Sequence, residues 1–286
     1  MATEKKYRFL LIQAFHLPKN SPHLHRAVEG AKETCLMNYE NIKPFFDDVE
    51  WDLHPGPLAT YGDWPVETRE EFALAAAGRL AIVREACESG KFNGIVLLGG
   101  GEPGFTESRE IARQYGIPVT SCGFSQMHVA AMLGNKFSVI DLSEVHNMYY
   151  YDLVVKHRFE HRCASIRNIN YPLPRPPHTG ESAVHLARNK VLRGESSEIM
   201  EAAVREAVAA IEEDGAEVLT FGCSALFWMQ PILQQRLSDL GWEVPVLEGY
   251  RCAITLAKAM VDLGVNASGL TYPSAHPKKW RRKKVF

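Results

Sequence analysis

The chain has 286 residues, 46% hydrophobic and 23% charged, and its 32 Lys and Arg against 34 Asp and Glu leave a net charge of −2. A chain of that size and balance buries roughly 75% of its unfolded-state surface, which excludes disordered and collagen-like classes. Near-neutral charge gives no electrostatic reason to expect nucleic acid or an acidic membrane as partner, and it favours a small-molecule ligand.

In chain order, Arg8 to Gln13 reads as a buried strand, and the apolar stretch it belongs to is too short for a signal-peptide core or a bilayer span. Two turn-rich segments, His16 to His25 and Trp51 to Pro65, read as loops near strand ends. Leu80 to Glu88 reads as a helix, and Phe92 to Leu98 as a second strand running into Gly99, Gly100 and Gly101. Gly116 to Val119 is a short strand feeding Cys122, Gly123 and a helix from Phe124 to Leu133. Tyr171 to Gly180 is proline-rich and cannot continue a helix. Met200 to Glu212 is amphipathic, with Ala203, Ala207, Ala210 and Ile211 on one face. The basic run from Lys278 to Lys284 reads as a solvated end.

A similar order of elements recurs about 125 residues on, the mark of an internal repeat. Lys136 to Asp141 echoes the first strand, Ala216 to Ser224 echoes the strand before Gly99, and Val244 to Leu263 echoes the unit from Ile117 to Leu133. The expectation is an α/β protein of two pseudo-symmetric Rossmann-like lobes with parallel sheets. Residues 1–122 with 244–286 would form the first lobe and 123–243 the second. The strand-end loops Gly99 to Gly104 and Gly222 to Ala225 would face one cleft, the expected active site.

Within that cleft the residue of greatest chemical interest is Cys223. It stands where an apolar strand stops, ahead of a segment, Ala225 to Leu237, that reads as helical despite Pro231. A helix N-terminus and nearby N–H groups would favour its thiolate and lower its pKa, suiting it to proton transfer at carbon or to nucleophilic attack. The alternative is an inert buried thiol. The six cysteines are scattered without CxxC pairs, so the expectation is reduced thiols in the cytoplasm and no structural zinc. His157 to His161 fits HxxEH but sits among charges and reads as an exposed helix, and His16, His23 and His25 read as polar-loop histidines, so no metal is expected. The glycine run lacks the Lys-Ser/Thr of a phosphate loop.

The blocks Gly94 to Glu110, Gly116 to Val119, Leu133 to Val139, Asp214 to Ser224, Val244 to Gly249 and Gly269 to Pro273 together resemble hydantoin racemases of the Asp/Glu racemase superfamily. The resemblance implies a cofactor-independent enzyme, usually a homo-oligomer, in which two cysteines flank the substrate carbon. Cys223 matches the second cysteine, whereas the first falls at Gly99. Glycine at that position resembles arylmalonate decarboxylases, in which a lone thiol protonates one face of an enediolate. The reading is therefore a racemase or isomerase acting on a hydantoin- or amino-acid-like molecule, with Cys223 as acid/base. A single-cysteine decarboxylase or lyase is the alternative, and a non-catalytic ligand-binding protein is the second. Gln13, Gly99, Gly100, Gly101, Glu102, Ser125 and Ser224 are the expected substrate or oxyanion contacts. Cys122 and His128 read as packing residues.

Overall fold

A computed structural model describes residues 5–177, 182–276 and 279. Residues 178–180 of the proline-rich segment, and all of the basic run but Lys279, lie outside the described residues. The chain opens with β1 (Tyr7–Ile12), short helices α1 (Lys32–Cys35) and α2 (Tyr39–Ile42), and β2 (Val49–His54). There follow α3 (Arg69–Glu88), β3 (Gly94–Leu97), α4 (Phe105–Arg113), β4 (Val119–Ser121) and α5 (Cys122–Leu133). The second run comprises β5 (Phe137–Asp141), α6 (Glu144–Lys156), β6 (Cys163–Asn168), α7 (Ala183–Leu192), α8 (Glu198–Glu212), β7 (Val218–Phe221), α9 (Gln230–Asp239) and α10 (Gly249–Asp262).

Two parallel sheets result, with strand orders β2-β1-β3-β4 and β6-β5-β7. A parallel bridge from Leu219 to Val246 extends the second sheet on its β7 side. The repeat is therefore topological: β5, β6, β7 and Val246 take the places of β1, β2, β3 and β4. Each sheet is walled by helices, so its central strands are apolar without alternation. Leu11, Ile12, Ile95, Val96, Leu97, Val139, Ile140, Leu219 and Phe221 are all fully buried. The equivalent helices cross over: α10 packs on β3 and β4, and α5 on β5 and β7, with the two helices against each other.

Three local differences from the sequence reading have physical causes. Trp51 to His54 is not loop but part of β2, whose alternating burial from Val49 to Asp52 marks an edge strand. Helix α3 begins well before Leu80, because Thr68 and Glu71 form a reciprocal capping box at its start. Glu71 also holds Arg175 of the proline-rich segment through two hydrogen bonds of 2.8 and 3.0 Å. Burial opposes ionisation of Glu71, yet Arg175 and two backbone N–H groups bring its pKa down to about 2. Finally, Ser224–Met229 is a 3-10 turn, and α9 starts only at Gln230 with Pro231 in its first turn, where proline is tolerated.

Candidate active site

The ends of β1, β3, β5 and β7 converge on one cleft. Gln13, Gly99, Gly100, Gly101, Cys223 and Ser224 all line it. Arg79 organises the first-lobe side. Its fully buried guanidinium donates to the carbonyls of Gln13 (3.1 Å), Pro103 (3.0 Å) and Ile12 (2.8 Å), and also to that of Leu98. One rigid fork thus fixes the ends of both β1 and β3.

Two of the glycines are required by geometry. Gly99 has φ +98°, in the left-handed region, and a Cβ there would lie 2.8 Å from the Ala14 Cβ. A Cβ on Gly100 would lie 1.5 Å from the carbonyl oxygen of Gly222, so the backbones of the two strand-end loops touch. Tyr149 Oη donates to Gly101 O at 2.8 Å and its ring stacks on Phe72, centroids 4.1 Å apart. A cysteine at position 99 would be strained whatever space surrounded it.

Cys223 is half-buried and lines the cleft. Contrary to the sequence expectation, its thiol is not acidified. Burial pushes its pKa well above the usual thiol range and the Asp141 carboxylate adds to the effect, while the Ala225 N–H pulls weakly the other way. The helix that was to stabilise a thiolate is instead a six-residue 3-10 turn. Cys223 therefore carries its proton at neutral pH.

Asp141, His146 and Glu67 form a group that the sequence reading missed. Asp141 ends β5 and His146 lies in the first turn of α6; both line the cleft. His146 Nδ1 is 3.5 Å from Asp141 Oδ1, and Nε2 is 3.6 Å from Glu67 Oε1. Asp141 Oδ2, His146 Nε2 and Glu67 Oε1 are buried without a hydrogen-bond partner. Burial alone would depress His146, but the two carboxylates outweigh it and raise its pKa, favouring the imidazolium. Burial raises that of Glu67. Asp141→Asn is expected to move the pH midpoint of Cys223 alkylation by iodoacetamide down by on the order of one unit, since it removes the nearest anion. Peptide mass spectrometry reads the modified position, and an unmoved midpoint would clear Asp141 of that role.

Two expected contacts do not reach the cleft lining. Glu102, at φ +43°, turns its carboxylate to His157 Nε2, to Ser121 Oγ (2.5 Å) and to the Phe124 N–H (2.8 Å). Burial opposes ionisation, but these donors hold its pKa below the usual carboxylate value. His157 consequently is no part of an exposed metal motif: it caps the end of α6, half-buried, and His161 lies beyond the helix. Ser125 is fully buried, its hydroxyl unpartnered. Among the described residues, no group of three His, Cys, Asp or Glu is placed to hold a metal ion, and no helix is long and apolar enough to cross a membrane. Cys122 and His128 bond the carbonyls of Leu97 and Phe124 respectively, and Glu248 caps α10 through the N–H groups of Tyr250 and Arg251.

Two parallel-sheet lobes meet at a cleft into which Cys223 is placed. Residues 64–257 match the family model described as Asp/Glu/Hydantoin racemase, and the chain belongs to that family. It is 24% identical over 220 residues to the hydantoin racemase of Pseudomonas sp. (strain NS671), covering 77% of this chain and 78% of that one. The crystal structure of allantoin racemase from Pseudomonas fluorescens superposes with a TM-score of 0.66 at 25% identity, over 96% of this chain and 99% of the other. A liganded double mutant of arylmalonate decarboxylase shares the fold, with a TM-score of 0.55 at 12% identity over 91% and 94% of the chains.

Proposed function

We propose that the protein is a cofactor-independent enzyme that moves a proton at a carbon next to a carbonyl of a hydantoin- or amino-acid-like molecule. Cys223 is the acid/base, and family membership makes racemisation the first reading. The observation that carries the proposal is the placement of one protonated thiol in the cleft, beside a carboxylate and imidazole and opposite the bare backbone of Gly99 to Gly101. The Asp141 carboxylate, beside His146, takes the proton from the substrate carbon, and the Cys223 S–H gives its own proton to the planar enolate that results. Backbone N–H groups of the glycine loop and of Ser224 meet the oxygens on which negative charge develops. The proton left on Asp141 then passes to the Cys223 thiolate, which resets both groups. The reading also makes the enzyme a homo-oligomer of the cytoplasm, where its free thiols stay reduced.

A second reading, single-face protonation after loss of carbon dioxide, is favoured by the same two features: no side chain at Gly99 and a thiol held as S–H. One panel in deuterated water separates them, using single enantiomers of 5-benzylhydantoin and N-carbamoylphenylalanine, and phenylmalonate. Solvent deuterium at the reacting carbon together with lost optical purity, above the buffer rate, is expected for racemisation. Carbon dioxide release from phenylmalonate with one enantiomeric product identifies the lyase. No exchange on any member leaves a ligand-binding protein on an enzyme fold.

A further inference from the structure

The first-lobe wall of the cleft carries an uncompensated positive charge. Arg26, half-buried, lines the cleft, and among the described residues its one hydrogen bond is from Nη2 to the Phe15 carbonyl at 2.7 Å. Among the described residues no carboxylate pairs with Arg26: Glu29, in a neighbouring groove, is bonded to Lys19, and Asp141 of the same cleft stands beside His146. His25 and His185 stack with ring centroids 3.7 Å apart. Burial and neighbouring cations bring their pKa values down to about 4 and about 2, so both are neutral. Arg188 lies beyond His185, with its Nε buried and unpartnered. Arg26 and Arg188 share a second groove with Glu33 and Glu40, and among the described residues neither carboxylate forms an ion pair with them. A guanidinium partly withdrawn from water without a counter-ion is costly unless an anion arrives from outside. Beside Arg26 the cleft has the apolar lining of Phe15, Met37, Val66, Phe72 and Leu173, together with the amide of Gln13.

We propose that Arg26 is a substrate-binding residue that takes a carboxylate, so that the substrate is an organic acid with an apolar side chain rather than a neutral ring. The inference rests on the cleft being the substrate site proposed above, and it narrows the substrate class. The planar fork of Arg26 matches a carboxylate edge to edge. The substrate's acid group anchors at that wall, while its reacting carbon lies toward Cys223 and its N–H groups toward Asp141.

The test measures binding without turnover, by calorimetry on Cys223→Ser protein, with N-carbamoylphenylalanine, phenylmalonate and the neutral 5-benzylhydantoin. Both acids are expected to bind more tightly than the ring. Adding Arg26→Gln should weaken the acids by roughly 10- to 100-fold while barely changing the ring, and Arg26→Lys should recover part of the loss. Preference for one acid identifies the source of the carboxylate as amino-acid-like or malonate-type, and either supports the site. The Tm of Arg26→Gln should hold or rise, since a poorly compensated charge is removed, and either acid should raise the Tm of the parent protein more than that of the variant. The proposal is overturned if the ring binds as tightly as its ring-opened acid, if Arg26→Gln leaves the acids' Kd unchanged, or if neither acid binds. Arg26-dependent binding without deuterium exchange in the active protein would overturn only the proposed reaction; exchange without Arg26 dependence would overturn only the anion site.

Discussion

Cys223→Ser is expected to lower solvent-deuterium incorporation at the reacting carbon by about 10²- to 10⁴-fold, the range that one positioned proton donor contributes. A serine hydroxyl keeps the size and the hydrogen bond but ionises far less readily than even this elevated thiol, so it can complete neither half of a proton-transfer cycle. The measurement is mass-resolved deuterium wash-in on the best member of the substrate panel, with Tm as a check on folding. Cys122→Ala is the matching control: its sulfur lies away from the cleft lining, bonded to the Leu97 carbonyl at 3.6 Å, and wash-in should survive. Retained exchange in Cys223→Ser would remove the sulfur from the mechanism altogether.

The second large effect falls on stability. Arg79→Met is expected to cost on the order of 3 kcal/mol. Four carbonyls at the ends of β1 and β3 lose their shared donor, and each unsatisfied acceptor is expensive, although removing a buried charge offsets part of the loss. Buried among carbonyls with no carboxylate bonded to it, Arg79 has its pKa brought down to about 10 by burial. For a chain of this size such a loss corresponds to a fall of several degrees in Tm, roughly 10 °C at most, readable by calorimetry. Arg79→Lys should recover little, because a single ammonium cannot span Gln13, Leu98 and Pro103 as a fork does. An unchanged Tm in Arg79→Met would mean that those strand ends are held by other contacts.

The fold was legible in the sequence because a parallel sheet walled by helices demands uninterrupted apolar strands, and glycines where the chain turns out of them. Arg8 to Gln13, Phe92 to Leu98 and Ala216 to Phe221 announce themselves in this way, as does the repeat. The start of α3 was less visible because its first turns are polar, and only the Thr68 and Glu71 cap marks them. The cleft was half legible. Cys223 and the glycine loop sit at strand ends, where position alone draws notice, and Asp141, closing the strand from Lys136, carried the same signal. Arg26 and His146 reach the cleft through tertiary packing of a loop and a helix start, which spacing does not reveal. Glu102 misled because a left-handed residue sends its side chain away from the line of its neighbours. The thiol's acidity was misjudged for a related reason: its largest influences, enclosure and Asp141, come from outside its own segment.

The contact between Gly100 and the Gly222 carbonyl also ties the two strand-end loops to each other. With these backbones in contact and Glu102 bound to His157 nearby, the base of the cleft acts as a fulcrum, so widening there would require breaking both. Val66 and Leu173, which also line the cleft, stand on segments joined by Arg175 and Glu71. Since Glu71 stays ionised down to strongly acidic pH, this pairing persists throughout the physiological range and keeps the two segments of the cleft wall joined.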